Sequence, residues 1–144
     1  MIVRKINTAL RMPPRKWMLL FQVLGLSVQA WYLDRFRATE FRPERWLNES
    51  LREPDSEADI QRVREIAWAI RVIAKWTPWT NVCRHQAWQG AVLMSRSGFR
   101  FKYFIGAKKN PEGVLEGHSW IISANRFVSG RCNVSEYRIL NQYH

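Results

Sequence analysis

Trp79-Thr-Asn-Val-Cys83-Arg-His-Gln-Ala-Trp-Gln-Gly-Ala-Val-Leu-Met94 reads as a turn that opens a helix, with a cysteine in its first turn. Pro78 cannot sit inside a helix, and Thr80 or Asn81 offers an oxygen to cap the first N–H groups. Gly98 stands where a helix of this length would end. A thiol in the first turn of a helix feels the positive end of the dipole, which favours the nucleophilic thiolate. Further along comes Gly117-His118-Ser119-Trp120-Ile121-Ile122, a strand-like run carrying one histidine. Cysteine at a helix N-terminus with histidine on a strand suits thiol catalysis.

Working outward, the preceding segment is also helical. Ile60, Val63, Ile66, Ile70 and Ile73 recur at spacings of three and four, with Arg62, Arg64, Glu65 and Arg71 mostly on the other side. The helix spans about 58–75, capped by Asp55-Ser56-Glu57-Ala58 and ended by Thr77-Pro78. After Gly98 the period changes. Phe99 to Ile105 alternates like a half-buried strand, and Gly106 to Gly113 reads as a turn. Val114 to Ser123 is a second strand, Ala124-Asn125 a tight turn, and Arg126 to Ser129 a third strand. The tail from Ser135 to Leu140 adds a short strand or a closing turn. The expected fold is α+β: N-terminal helices, then the Cys83 helix packed on a small antiparallel sheet.

Residues 1–16 are basic and end in Met12-Pro13-Pro14-Arg15-Lys16. Trp17 to Leu33 carries no charge but falls just short of a comfortable span, and Gln22, Gly25, Ser27 and Gln29 interrupt it. It is a buried or interfacial helix or a membrane element, so contact with a membrane surface through 17–33 stays open. Residues 34–58 are polar, with Pro43 and Pro54 as punctuation and Phe36, Phe41, Trp46 and Leu47 as anchors to the core. The division is 1–57, an N-terminal helical region, and 58–144, the core, within one compact domain.

The chain has 144 residues, 47% apolar and 13% aromatic, enough for one domain with its own core. Eight tryptophans are many for this length, and Trp76, Trp79, Trp88 and Trp120 read as core. A net charge of +11 suits nucleic acid, an anionic membrane or an acidic polypeptide. No RNP, KH or zinc-finger pattern appears, so no nucleic-acid partner is expected. Two cysteines and three scattered histidines make no four-ligand site, so neither metal nor cofactor is expected. With no secretory signal pattern, a reduced, cytoplasmic setting is expected.

The order of these pieces resembles the transglutaminase-like B2 proteins of lasso-peptide biosynthesis. The likeness rests on Cys83 opening a helix followed by Gln86-Ala87, on Arg96-Ser97-Gly98 before a strand, and on the His118-Ser119-Trp120 strand. It covers roughly residues 58–140 well. The resemblance implies a cysteine protease that cuts the leader from a ribosomally made precursor. Its partners would be an ATP-dependent cyclase and a separate leader-recognition protein. It makes 58–144 a transglutaminase-like (papain-like) peptidase core. Such chemistry wants a third group to orient the histidine. The region after the histidine strand, Phe127-Val-Ser129-Gly130-Arg-Cys-Asn133, has no carboxylate. Asn125, Ser129 or Asn133 is then left for the role, Asn133 first.

Cys83 would attack the scissile carbonyl, His118 would move the proton, and the Cys83 N–H would help hold the oxyanion. Arg84, Lys108 and Lys109 would meet an acidic leader. The bland readings are a small buried cysteine, a core histidine and solvated arginines. His85, two residues from Cys83, reads as surface or helix packing, and Cys132 as an ordinary thiol. The alternatives to a peptidase are a catalytically weak scaffold binding leader and cyclase, and a basic surface binder.

Overall fold

The computed structural model describes residues 11–144, so most of the basic N-terminal stretch lies outside it. Three helices come first: α1 (Pro14–Phe36), α2 (Glu57–Trp76) and α3 (Cys83–Arg96). Four strands follow: β1 (Lys102–Lys109), β2 (Leu115–Ser123), β3 (Arg126–Ser129) and β4 (Arg138–Tyr143). They form one antiparallel sheet in the order β3-β2-β1-β4. The expected α+β architecture is the one observed.

The local chemistry accounts for these elements. Pro14 stands in the first turn of α1, where a missing N–H costs nothing. The helix buries Leu19, Leu20, Val23, Leu26 and Ala30. Its opposite side leaves Met18, Phe21, Tyr32 and Phe36 exposed. The helix therefore has one buried face and one open aromatic face. Phe36 is 63% exposed and is not a core anchor, unlike Phe41 and Trp46, which both pack on Trp88. Among the described residues no helix is long and apolar enough to cross a membrane.

In α2 the Ser56 hydroxyl accepts the Asp59 N–H, and the Asp59 carboxylate accepts the Ser56 N–H, a reciprocal cap. Arg52 grips the same carboxylate at 2.6 and 2.9 Å. Its hydrogen bonds come first among the causes that hold the Asp59 carboxyl well below the usual range. The buried Glu65 carboxylate meets Arg15 of α1 at 2.7 Å, which ties α1 to α2.

Helix α3 ends as expected at Gly98, whose φ is +74°. Phe99 N–H returns to the Met94 carbonyl and Gly98 N–H to that of Ser95, the double bond of a Schellman close. Gly90 lets α3 approach the sheet, since a Cβ there would lie 3.2 Å from Ile121. Ala124 and Asn125 both take positive φ, the twist a two-residue hairpin between β2 and β3 requires.

The strand limits differ in one place. The sequence reads Gly106 as the start of a turn, but β1 runs through it to Lys109. Gly106 pairs with His118, and the Trp120 indole lies against it. The glycine marks a close approach and not a bend. A Cβ at this position would sit 2.9 Å from the indole, which is fully buried. Gly106→Ala is expected to destabilise the fold by about 1–3 kcal/mol, read from the urea midpoint at constant slope. Trp88 and Trp120 are core, as expected, whereas Trp76, the last residue of α2, is 70% exposed.

Candidate active site

Cys83 is the first residue of α3, half-buried and not in a disulfide. The N–H groups of Cys83, Arg84 and His85 have no earlier turn to bond to and remain unused within the described residues. Charge developing beside Cys83 therefore meets free backbone donors and the positive end of a helix.

The start of α3 is not capped by Thr80 or Asn81, as the sequence suggests. Val82 is the N-cap, and its N–H donates to His85 Nδ1 at 3.1 Å. His85 therefore carries its proton on Nε2, which donates to Asp34 of α1 at 3.0 Å. Arg84 reaches the same carboxylate at 2.6 Å. The Asn81 side chain is spent elsewhere. Its oxygen accepts from Gln89 at 2.9 Å, and its backbone carbonyl accepts from Gln86 at 2.8 Å. These bonds fix the loop that delivers Cys83.

His85 is fully buried, which leaves helix packing, not surface, of its two sequence readings. Burial, the largest cause, pushes its imidazole below the ordinary 6.5, and the Asp34 bond and charge restore only part of this. The unfolded chain then binds the extra proton. The His85 contribution to stability is complete above 6.5 and is lost as pH falls through the lowered folded value. Urea unfolding is expected to show stability falling on acidification over this window, with a shallower slope in His85→Asn.

His118 lies in β2, opposite Gly106. Its ring packs against Trp120, at 5.9 Å, and Tyr137, at 5.3 Å between centroids, and those two rings also meet each other at 5.8 Å. Strand β3 covers β2 only from Ile121 to Ser123, so the edge beside His118 is open. There the chain leaves the sheet at Gly130, with φ +68°, and its carbonyl comes 2.7 Å from His118 Nε2. A carbonyl only accepts, so Nε2 carries the proton. Nδ1 makes no hydrogen bond to the described residues and is left as the basic nitrogen.

Cys83 and His118 line one cleft of about 560 Å³ between α2, the start of α3 and β3. Asn125 and Ser129 line it as well. The Ser129 hydroxyl is buried and makes no hydrogen bond, so it does not hold the imidazole. Asn133 is not part of this cleft. Its amide nitrogen donates to Glu136 at 3.3 Å and its oxygen accepts from Ser135 at 2.8 Å. The group on His118 is thus a backbone carbonyl, which no side-chain pattern announces. Lys108 is likewise engaged, with Glu136 at 3.1 Å and over the Tyr137 ring. Among the described residues no cluster of His, Cys, Asp and Glu is fit to hold a metal ion.

A nucleophile-bearing helix N-terminus, a strand histidine of fixed tautomer and a shared cleft form an arrangement able to attack an acyl carbon. Residues 26–142 match the family described as Transglutaminase-like superfamily. No curated protein and no solved structure matches the chain. Cysteine protease and transferase activities are common in that superfamily. The matched span holds α2, α3, β1 to β3, all but the last residue of β4, and both Cys83 and His118, and by it the chain belongs to the transglutaminase-like superfamily.

Proposed function

We infer that this protein is a cysteine protease that removes the leader from a ribosomally made lasso-peptide precursor. The observation that carries the reading is the single cleft lined by Cys83 and by a histidine whose Nε2 is occupied by the Gly130 carbonyl. Cys83 Sγ gives its proton to His118 Nδ1 and attacks the scissile carbonyl, forming a C–S bond. The free N–H groups at the start of α3 hold the oxyanion. As the tetrahedral adduct collapses, the C–N bond breaks and the imidazolium protonates the leaving amine. Water, deprotonated by the same imidazole, then cleaves the thioester.

The leader, a separate recognition protein and the ATP-dependent cyclase follow from the resemblance of the Cys83 and His118 motifs. Incubation with precursor, recognition protein and cyclase, followed by mass spectrometry, tests the reading. Release of the leader is the expected result, and intact precursor overturns it. The second reading is a scaffold that binds leader and cyclase without cutting. It is favoured by the neutral carbonyl on His118, which stabilises an imidazolium less than a carboxylate does. Alkylation separates the two. Burial first, then Glu136, push the Cys132 thiol up. That slows Cys132 in either reading, so the comparison is made at Cys83: a peptidase is expected to alkylate there faster in wild type than in His118→Ala, and a scaffold at the same rate in both.

A further inference from the structure

We propose that the cleft beside Cys83 is an acidic-peptide site whose arginines take Asp or Glu side chains of the bound polypeptide. This rests on the peptidase reading and names the chemistry of its substrate. Four of the side chains lining the cleft are arginines, Arg64, Arg71, Arg126 and Arg131, and none is acidic. They come from both walls. Arg64 and Arg71 are seven residues apart on α2, two turns along one face. Arg126 opens β3, and Arg131 follows Gly130, the residue that holds His118. Val63, Ala67, Phe127 and Val128 supply apolar surface among them.

These charges are not spent internally. Arg64 meets only Glu57, at 3.5 Å, and that carboxylate is 84% exposed. Among the described residues no carboxylate lies within ion-pair distance of Arg71, Arg126 or Arg131. A guanidinium fork matches a carboxylate in two parallel hydrogen bonds. A cleft with one sign of charge and low-dielectric walls also concentrates the opposite ion. A thiol and an imidazole act on acyl carbon, which points to a polypeptide as the anion and not to nucleic acid. The sequence, by contrast, directs attention to Arg84 and Lys108, which ion pairs with Asp34 and Glu136 already occupy, and to Lys109, which does not line the cleft.

The test uses Cys83 itself and needs no cleavage. The full chain is alkylated with iodoacetate or with neutral iodoacetamide, and labelling of each cysteine is followed by mass spectrometry. The iodoacetate-to-iodoacetamide rate ratio at Cys83 is expected to exceed that in the Arg71→Gln/Arg126→Gln variant by roughly 5-fold at low salt. The gap should close as salt rises. Hexaglutamate should slow iodoacetamide at Cys83, whereas hexalysine should not. An equal ratio in wild type and variant overturns the proposal, as does protection by oligothymidylate without protection by hexaglutamate. A chain that leaves precursor intact but passes these tests keeps the arginine site and loses the peptidase. A chain that cuts precursor but fails them does the reverse.

Discussion

Replacing Cys83 by alanine is expected to lower leader release by at least about 10⁴-fold, since in the proposed mechanism nucleophile and base act as a unit. Stability should change little, because Cys83 is half-buried at a helix end and alanine is accepted there. His118→Ala should approach the same loss of activity. It also removes a ring packed against Trp120 and Tyr137, so its unfolding midpoint must be measured beside its rate. Asn133→Ala is the discriminating control. Asn133 bonds only Ser135 and Glu136, so the variant should keep activity within about twofold. Undiminished cleavage by Cys83→Ala would sink the thiol mechanism. A loss in Asn133→Ala as large as that in His118→Ala would mean that the asparagine, and not the Gly130 carbonyl, orients the base. The pH dependence of Cys83 alkylation gives a second readout. If His118 is the base, its removal changes the profile at Cys83 and leaves that at Cys132 alone.

What the sequence disclosed followed from period and punctuation. The three- and four-residue spacing of Ile60, Val63, Ile66 and Ile70 led to α2, and Asp55-Ser56-Glu57-Ala58 marked its start. Cys83 and Gly98 bracketed α3 correctly because a Schellman close demands a residue that tolerates positive φ. Ala124-Asn125 marked the β2–β3 hairpin. What stayed hidden depends on partners distant in the chain. Gly106 looks like a turn until Trp120 is laid across it. His85 reads equally as surface or packing on its own helix, because its carboxylate partner comes from α1, fifty-one positions earlier. The cleft arginines lie on α2 and around β3, so no run of sequence gathers them. The Gly130 carbonyl leaves no side-chain signature. Its trace in the sequence is a glycine directly after a strand, twelve residues past the histidine it meets.

That glycine supports the second large effect. Gly130→Ala is expected to destabilise the protein by about 3–5 kcal/mol. Two costs combine. An L residue at φ +68° costs roughly 1–2 kcal/mol. The added Cβ would also meet the Ser119 carbonyl and would lie 2.9 Å from Trp120 Cα and Cβ. Those atoms belong to β2, where Ser119 and Trp120 pair with Ile105 and Phe104 of β1, so they cannot move aside as the far end of a flexible side chain would. Gly113→Ala separates the two costs. Gly113 has φ +81°, yet a Cβ there would meet nothing within 4 Å. It should lose only the conformational share, about 1–2 kcal/mol, and leave cleavage untouched. Gly130→Ala must push β2 and the 130 segment apart. The carbonyl then leaves His118 Nε2, the imidazole is no longer held in one tautomer, and the rate falls even where the protein remains folded. The two variants are compared by urea unfolding and by leader release at a temperature well below either midpoint. Equal destabilisation by both substitutions would show that β2 and Gly130 are not in contact. An unchanged rate in folded Gly130→Ala would show that the carbonyl does not position His118.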